Sequence, residues 1–256
     1  MPTRTETVDI LVANEKIAGT FLSPGNKVPG ILFVHGWGGS QQRDLARAKG
    51  IAGLGCVCLT FDLRGHEETL VQKKTVTRQH NLEDLVAAYD RLANHISVDK
   101  SSIAVIGTSY GGYLAAILAT LRPVKWLALR APALYADEEW SVPKQNLDRD
   151  NLARYRQETL GPKDNRALAA CAEFTGDVIL VESEHDDFVP HPVLMNFRSA
   201  FTKAHSLTHR TLLGADHALS GEPCQNAYTS ILTGWVSEMV IGARIENYPE
   251  FLSRNR

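Results

Sequence analysis

The chain has 256 residues, 44% of them hydrophobic and 22% charged, with 27 Lys and Arg against 29 Asp and Glu for a formal charge of −2. A chain of this length buries a core without help from disulfides or metals. Its pI near 6.5 excludes the basic excess of a nucleic-acid or anionic-membrane binder, and no apolar run reaches the roughly 18 residues of a membrane span.

Residues 1–7 lack the apolar core of a signal peptide. Residues 5–11 and 16–22, split by Asn14-Glu15, predict an antiparallel hairpin. Short apolar runs then recur at 30–34, 57–61, 103–106, 126–129, 177–181 and 208–213. Continuous apolarity, rather than alternation, is what a strand covered on both faces of a parallel sheet requires. Between the runs lie helix-like stretches at 44–53, 81–92, 110–121, 192–203 and 223–241, the second with Leu82, Leu85, Val86, Tyr89 and Leu92 on one face. The alternation predicts one α/β domain over residues 1–256, a mostly parallel central sheet flanked by helices. The rhythm breaks between 133 and 175, a polar stretch containing Tyr135, Trp140 and Tyr155 with helical patches at 151–160 and 165–174. It reads as a small lid insertion. Cys56, Cys58, Cys171 and Cys224 follow no metal-ligand spacing. They read as free thiols in a reducing cytoplasm.

Gly107-Thr-Ser-Tyr-Gly111 joins the apolar run 103–106 directly to a helix-like stretch. In that context G-x-S-x-G is a strand-to-helix elbow, with glycines where backbones must approach and Ser109 projecting above the strand ends. The amide of Tyr110, at the helix N-terminus, points where an oxyanion forms. A serine nucleophile needs a base, and the base an orienting acid, in the chain order Ser, acid, His. The run 177–181 leads into Glu182-Ser-Glu-His-Asp-Asp-Phe-Val-Pro190, and the run 208–213 into Gly214-Ala-Asp-His-Ala218. His217 is the candidate base and Asp186 the candidate acid, with Asp187 its main rival. Asp216, next to His217 in the chain, reads as a turn residue, and His209 as a core or edge histidine.

With these residues in view, the chain resembles the α/β-hydrolase superfamily over roughly residues 5 to 240, closest to compact esterases and to dienelactone-hydrolase-like or serine-aminopeptidase-like members. His35-Gly-Trp-Gly-Gly39 is similar to the family's H-G-x-x-G loop, Asp62-Leu-Arg-Gly-His66 to its D-x-R-G-H turn, and Asp186-Asp-Phe-Val-Pro190 to its D-x-x-V-P acid loop. The resemblance implies an oxyanion hole made by the Trp37 and Tyr110 amides, a supporting role for His35, and a loop-tying role for Arg64. After His66 the family often has Gly-x-Ser, whereas this chain has Glu67-Glu-Thr69. The expectation is a serine carboxylesterase acting on short or medium acyl chains without metal or other cofactor. Trp37, Tyr135 and Trp140 are its candidate substrate-binding residues, a small-molecule ester its only implied partner, and a monomer or homodimer its form. Amide, thioester or C–C hydrolysis on the same residues, and a non-catalytic scaffold, are the alternatives.

Overall fold

Five of the eight described strands hold one of the continuously apolar runs, and the sixth predicted run, 208–213, lies in an edge strand that is mostly exposed or half-buried. The computed structural model describes residues 4–13, 15–23 and 28–246. Its strands are β1 (Arg4–Val12), β2 (Glu15–Ser23), β3 (Val28–Val34), β4 (Val57–Phe61), β5 (Val98–Thr108), β6 (Trp126–Arg130), β7 (Asp177–His185) and β8 (Ser206–Asp216). They form one sheet in the order β1-β2-β4-β3-β5-β6-β7-β8. β1 and β2 form the antiparallel hairpin expected there, and β2 joins β4 antiparallel. Ala13 turns the hairpin at φ 47°, while Asn14, placed at the same turn from the sequence, lies outside the described residues. From β4 onward every pairing is parallel.

Each central strand sends alternate residues to opposite faces. Leu32, Val34, Val105, Leu127 and Leu180 join one apolar cluster. Ile31, Phe33, Ala104, Ile106, Ala128 and Ile179 join the other. Helices α1 (Gln42–Gly53) and α7 (Glu222–Glu246) cover the second face. Helices α2 (Arg78–Ala93), α3 (Tyr110–Leu118), α5 (Arg166–Glu173) and α6 (His191–Ala200) cover the first, and α4 (Arg149–Tyr155) lies above it. Every residue of α3 is buried, as an all-apolar helix demands. Among the described residues no helix is long and apolar enough to cross a membrane.

Two local features differ from expectation. Residues Glu67–Lys74 form a 3₁₀ helix with almost no amphipathic character, which left nothing for periodicity to detect. Residues 133–175 contain no strand, as expected, but they do not form one separate unit. Ala167, Leu168 and Cys171 of α5 are buried, and α5 packs on α3 and α6 as part of the main helical layer. Only the stretch before it, with α4 and two short 3₁₀ turns (Asp137–Glu139 and Lys144–Asn146), overhangs the strand ends.

Candidate active site

Parallel strands all present their C-terminal ends to one edge of the sheet, so loops leaving β3, β5, β7 and β8 converge there. Ser109 follows β5 and precedes α3 with φ 53° and ψ −114°, a conformation an L-residue occupies only when its surroundings enforce it. The flanking glycines are that enforcement. A Cβ on Gly107 would lie 2.6 Å from the Gly111 carbonyl oxygen, and one on Gly111 would lie 2.2 Å from that of Val34. The Ser109 amide is tied to the Arg130 carbonyl at 2.9 Å, and its own carbonyl accepts from Ala133 at 3.0 Å.

His217 Nε2 lies 3.0 Å from Ser109 Oγ, and His217 Nδ1 lies 2.6 Å from Asp186 Oδ2. The other oxygen of Asp186 accepts the amides of Phe188 at 2.9 Å and Val189 at 2.7 Å. That carboxylate is 2% exposed, so its orientation is fixed by two amides of its own loop and by the imidazole. With Asp186 holding Nδ1–H, Nε2 is left as the acceptor facing the serine hydroxyl. Asp187 is exposed and lines the neighbouring cavity instead. Asp216 accepts the Ser220 amide at 2.8 Å and serves the turn. His209, on the edge strand β8, lies 3.3 Å from Glu182.

Trp37 sits in the loop after β3. A Cβ on Gly36 would approach the Ser109 Cβ to 3.2 Å, which measures how closely that loop abuts the elbow. The Tyr110 amide, first in α3, has no acceptor within its own helix. Tyr110 and Trp37 meet edge to face with ring centroids 5.7 Å apart.

Two buried imidazoles build the loop. His35 Nδ1–H donates to the Gly36 carbonyl at 2.8 Å, while its Nε2 accepts the Leu63 amide at 3.1 Å. His66 Nε2 accepts the Gly38 amide at 2.9 Å, and its Nδ1 faces the Leu63 and Arg64 carbonyls. Both rings use a lone pair that protonation would destroy. Burial accordingly lowers both to about 4 from the ordinary 6.5. Between pH 6.5 and 4 the unfolded chain takes up these protons and the folded chain refuses them, so stability falls as pH falls through that window. At about 1.4 kcal/mol per tenfold displacement of a proton equilibrium, one such imidazole withdraws about 3 kcal/mol by pH 4. His66→Gln, followed by urea midpoint at pH 7, 6, 5 and 4, is expected to start lower and decline less steeply than wild type. Parallel declines would remove His66 from the account.

Arg64 ties the following turn to α2 through both oxygens of Asp84 and the His80 carbonyl. Glu67, in the position the family often gives to glycine, has φ 44°. Arg130 had no sequence signal. Its buried guanidinium donates to the His217 carbonyl at 2.9 Å and to Ser183 at 3.3 Å, steadying the loop that carries the imidazole.

Two cavities flank Ser109 and His217. One, of about 610 Å³, opens toward α1 and includes Gly36, Arg47, Arg130 and Leu219. The other, of about 660 Å³, opens under the overhanging segment and includes Tyr135, Lys144, Leu152 and Phe188, with Trp37 shared between the two. Tyr135 and Trp37, two of the three residues singled out for substrate binding, thus line the cavities beside the serine. Trp140 lines neither cavity. Its indole N–H donates to Gln79 at 2.8 Å and its ring stacks under the Arg166 guanidinium at 3.9 Å, turned toward α2 and α5.

Residues 43–241 match the profile of the prolyl oligopeptidase family. An uncharacterized protein of Mycobacterium tuberculosis is 32% identical over 168 residues, covering 65% of this chain and 55% of its own. The chain thus spans about half the length of the curated relatives it matches. Among solved structures, a dienelactone hydrolase from Anabaena variabilis superposes with a TM-score of 0.67 at 19% identity, covering 91% of this chain and 96% of the other. Est1E from Butyrivibrio proteoclasticus, with ferulic acid bound, superposes with a TM-score of 0.66 at 19% identity, over 92% and 98%.

Proposed function

Because the chain belongs to the prolyl oligopeptidase family and has the α/β-hydrolase fold, we propose that it is a serine carboxylesterase acting through an acyl-enzyme. The observation that carries the reading is the unbroken hydrogen-bonded chain from Ser109 through His217 to Asp186 at a strained elbow. In this reading Ser109 Oγ attacks the ester carbonyl as its proton passes to His217 Nε2. The Trp37 and Tyr110 amides receive the oxyanion, where one lost donor costs about 3 kcal/mol. The imidazolium protonates the departing alcohol, then takes a proton from the water that cleaves the acyl-serine, restoring the hydroxyl. Asp186 keeps the imidazole in the tautomer this requires. Cavities of about 610 and 660 Å³ on either side of the serine suit a short or medium acyl chain on one side and a modest alcohol on the other. The chemistry calls for no cofactor, cysteines that form no disulfide among the described residues suit the cytoplasm, and the proposed form is a monomer or homodimer.

The family match favours a second reading, amide or peptide cleavage by the same residues. A fluorophosphonate probe tests what both share, since phosphorus takes the place of the carbonyl and fluoride leaves. Intact mass is expected to rise by one phosphonyl group in the wild type and not in Ser109→Ala. A folded wild type that stays unlabelled would sink both readings. A panel of p-nitrophenyl esters beside aminoacyl p-nitroanilides then separates them.

A further inference from the structure

The cavity under the overhanging segment carries a charge the whole chain does not. Lys73, Lys144, Arg149 and Arg156 line it, against Asp187 as the one acid among its described lining residues, whereas the chain as a whole is at −2. None of the four cations forms an ion pair among the described residues. Lys144 is the most specific. Its ammonium, half-buried, stands 5.0 Å from the Trp37 ring, 5.0 Å from that of Tyr135 and 5.6 Å from that of Tyr110. Two rings that line the cavity with Ser109, and the buried ring of Tyr110, therefore hold a positive charge over the cleft. Lys73 stands 5.9 Å from Trp37, and Arg149 is exposed at the start of α4.

Two buried guanidiniums, Arg156 of the lining and Arg78 beyond it, deepen the field. Arg156 is buried and donates to the Leu134 and Phe188 carbonyls, neither of which cancels its charge. Arg78 is fully buried behind the wall, 5.4 Å from the Tyr135 ring, with Nε and Nη2 lacking any hydrogen-bond partner. The cavity toward α1 is different. There Arg47 lies 3.5 Å from Asp44, which offsets one of its three cations, while Arg43 and Arg130 have no ion pair among the described residues and Arg130 is turned to the His217 carbonyl. Unpaired cations held together in a low-dielectric cleft repel one another and lose hydration. An anionic ligand relieves both costs.

We propose that the cavity under the overhanging segment binds a carboxylate carried by the substrate, with Lys144 as its principal contact and Arg149 and Lys73 at the rim. The inference rests on the serine-hydrolase reading and names its substrate class: esters bearing a free carboxylate one short chain away from the scissile carbonyl. Two pairs of esters test it. p-Nitrophenyl hydrogen glutarate against p-nitrophenyl valerate puts the charge on the acyl side, and 4-carboxyphenyl butyrate against phenyl butyrate puts it on the alcohol side. In at least one pair the anionic member is expected to exceed its neutral partner in kcat/KM by about tenfold, with the ratio shrinking as salt is raised. That ratio is expected to collapse toward one in Lys144→Met and to fall in Arg149→Met, which sits on the exposed rim and tests the point should the first variant not fold. Lys49→Met, on α1 outside both cavities, keeps the wild-type ratio. Glutarate is expected to inhibit neutral-ester turnover competitively. Stronger inhibition by inorganic phosphate at equal concentration would reassign the site away from carboxylates. Turnover of both pairs with no anionic preference overturns the inference and leaves the hydrolase standing. Failure of every ester together with failure of phosphonate labelling strikes the reading beneath it.

Discussion

Ser109→Ala is expected to lower kcat on p-nitrophenyl butyrate by about 10⁵–10⁶-fold, the scale seen when a serine nucleophile is removed from a preorganised site. The hydroxyl lies 3.0 Å from His217 Nε2, and neither Thr108 nor Tyr110 can take its place, because the elbow points their side chains elsewhere. In the proposed mechanism the residual rate measures what the Trp37 and Tyr110 amides do alone, about 10³–10⁴ over water by analogy with other serine hydrolases. Asp186→Asn is expected to cost about 10⁴-fold by presenting the wrong tautomer. KM is expected to move little in either variant, since neither side chain contributes to holding the substrate before attack. A correctly folded Ser109→Ala that keeps a tenth of wild-type turnover would remove Ser109 from the chemistry. The same position offers a second readout. A non-glycine residue at φ 53° and ψ −114° costs about 1–3 kcal/mol, so Ser109→Gly is expected to be as inactive as the alanine variant and more stable than wild type.

Gly111→Ala is expected to have the largest effect on folding. Its Cβ would lie 2.2 Å from the Val34 carbonyl oxygen and 2.5 Å from that of His35, both backbone atoms of the central strand β3 and its exit. Neither can retreat without breaking the register of β3 with β5, which pairs Val34 to Gly107. Destabilisation of at least about 4 kcal/mol, with little folded protein recovered, is the expectation for overpacking against fixed backbone. Gly50→Ala is the matched contrast. It lies within α1 with nothing within 4 Å of the added Cβ, so the gain in helix propensity, about 1 kcal/mol, is unopposed. Urea midpoints at unchanged slope should move in opposite directions. Similar midpoints for the two variants would mean that the elbow is not closed by backbone contact.

Much of the framework is readable from residues because a doubly covered strand has a signature that survives without tertiary context. The runs at 57–61 and 126–129 coincide with strands almost residue for residue. β5 and β8 run past the predicted runs at 99–102 and 214–216. There the chain is polar, and pairing to a neighbour, not composition, decides its conformation. Ser109, Asp186 and His217 were legible because a strained turn and two post-strand loops have narrow sequence solutions. Lys144, Arg130 and the apartness of Trp140 were not. Each depends on how one chain segment lies over another: Thr77 bridges to Pro143, and that pairing, set by no local pattern, fixes where the ammonium of Lys144 and the indole of Trp140 point.

The three residues of the hydrogen-bonded chain are far apart in sequence, 108 positions separating Ser109 from His217 and 31 separating Asp186 from it. Ser109 is made early, in the middle of the sheet, whereas the imidazole arrives only with β8, the last strand at the sheet's edge. During synthesis a partly folded chain therefore exposes an ordinary, unreactive alcohol to the cell's esters and acyl donors. In the proposed mechanism Ser109 becomes reactive only with the docking of the final strand, so the onset of phosphonate labelling in a refolding reaction is expected to time the completion of the fold.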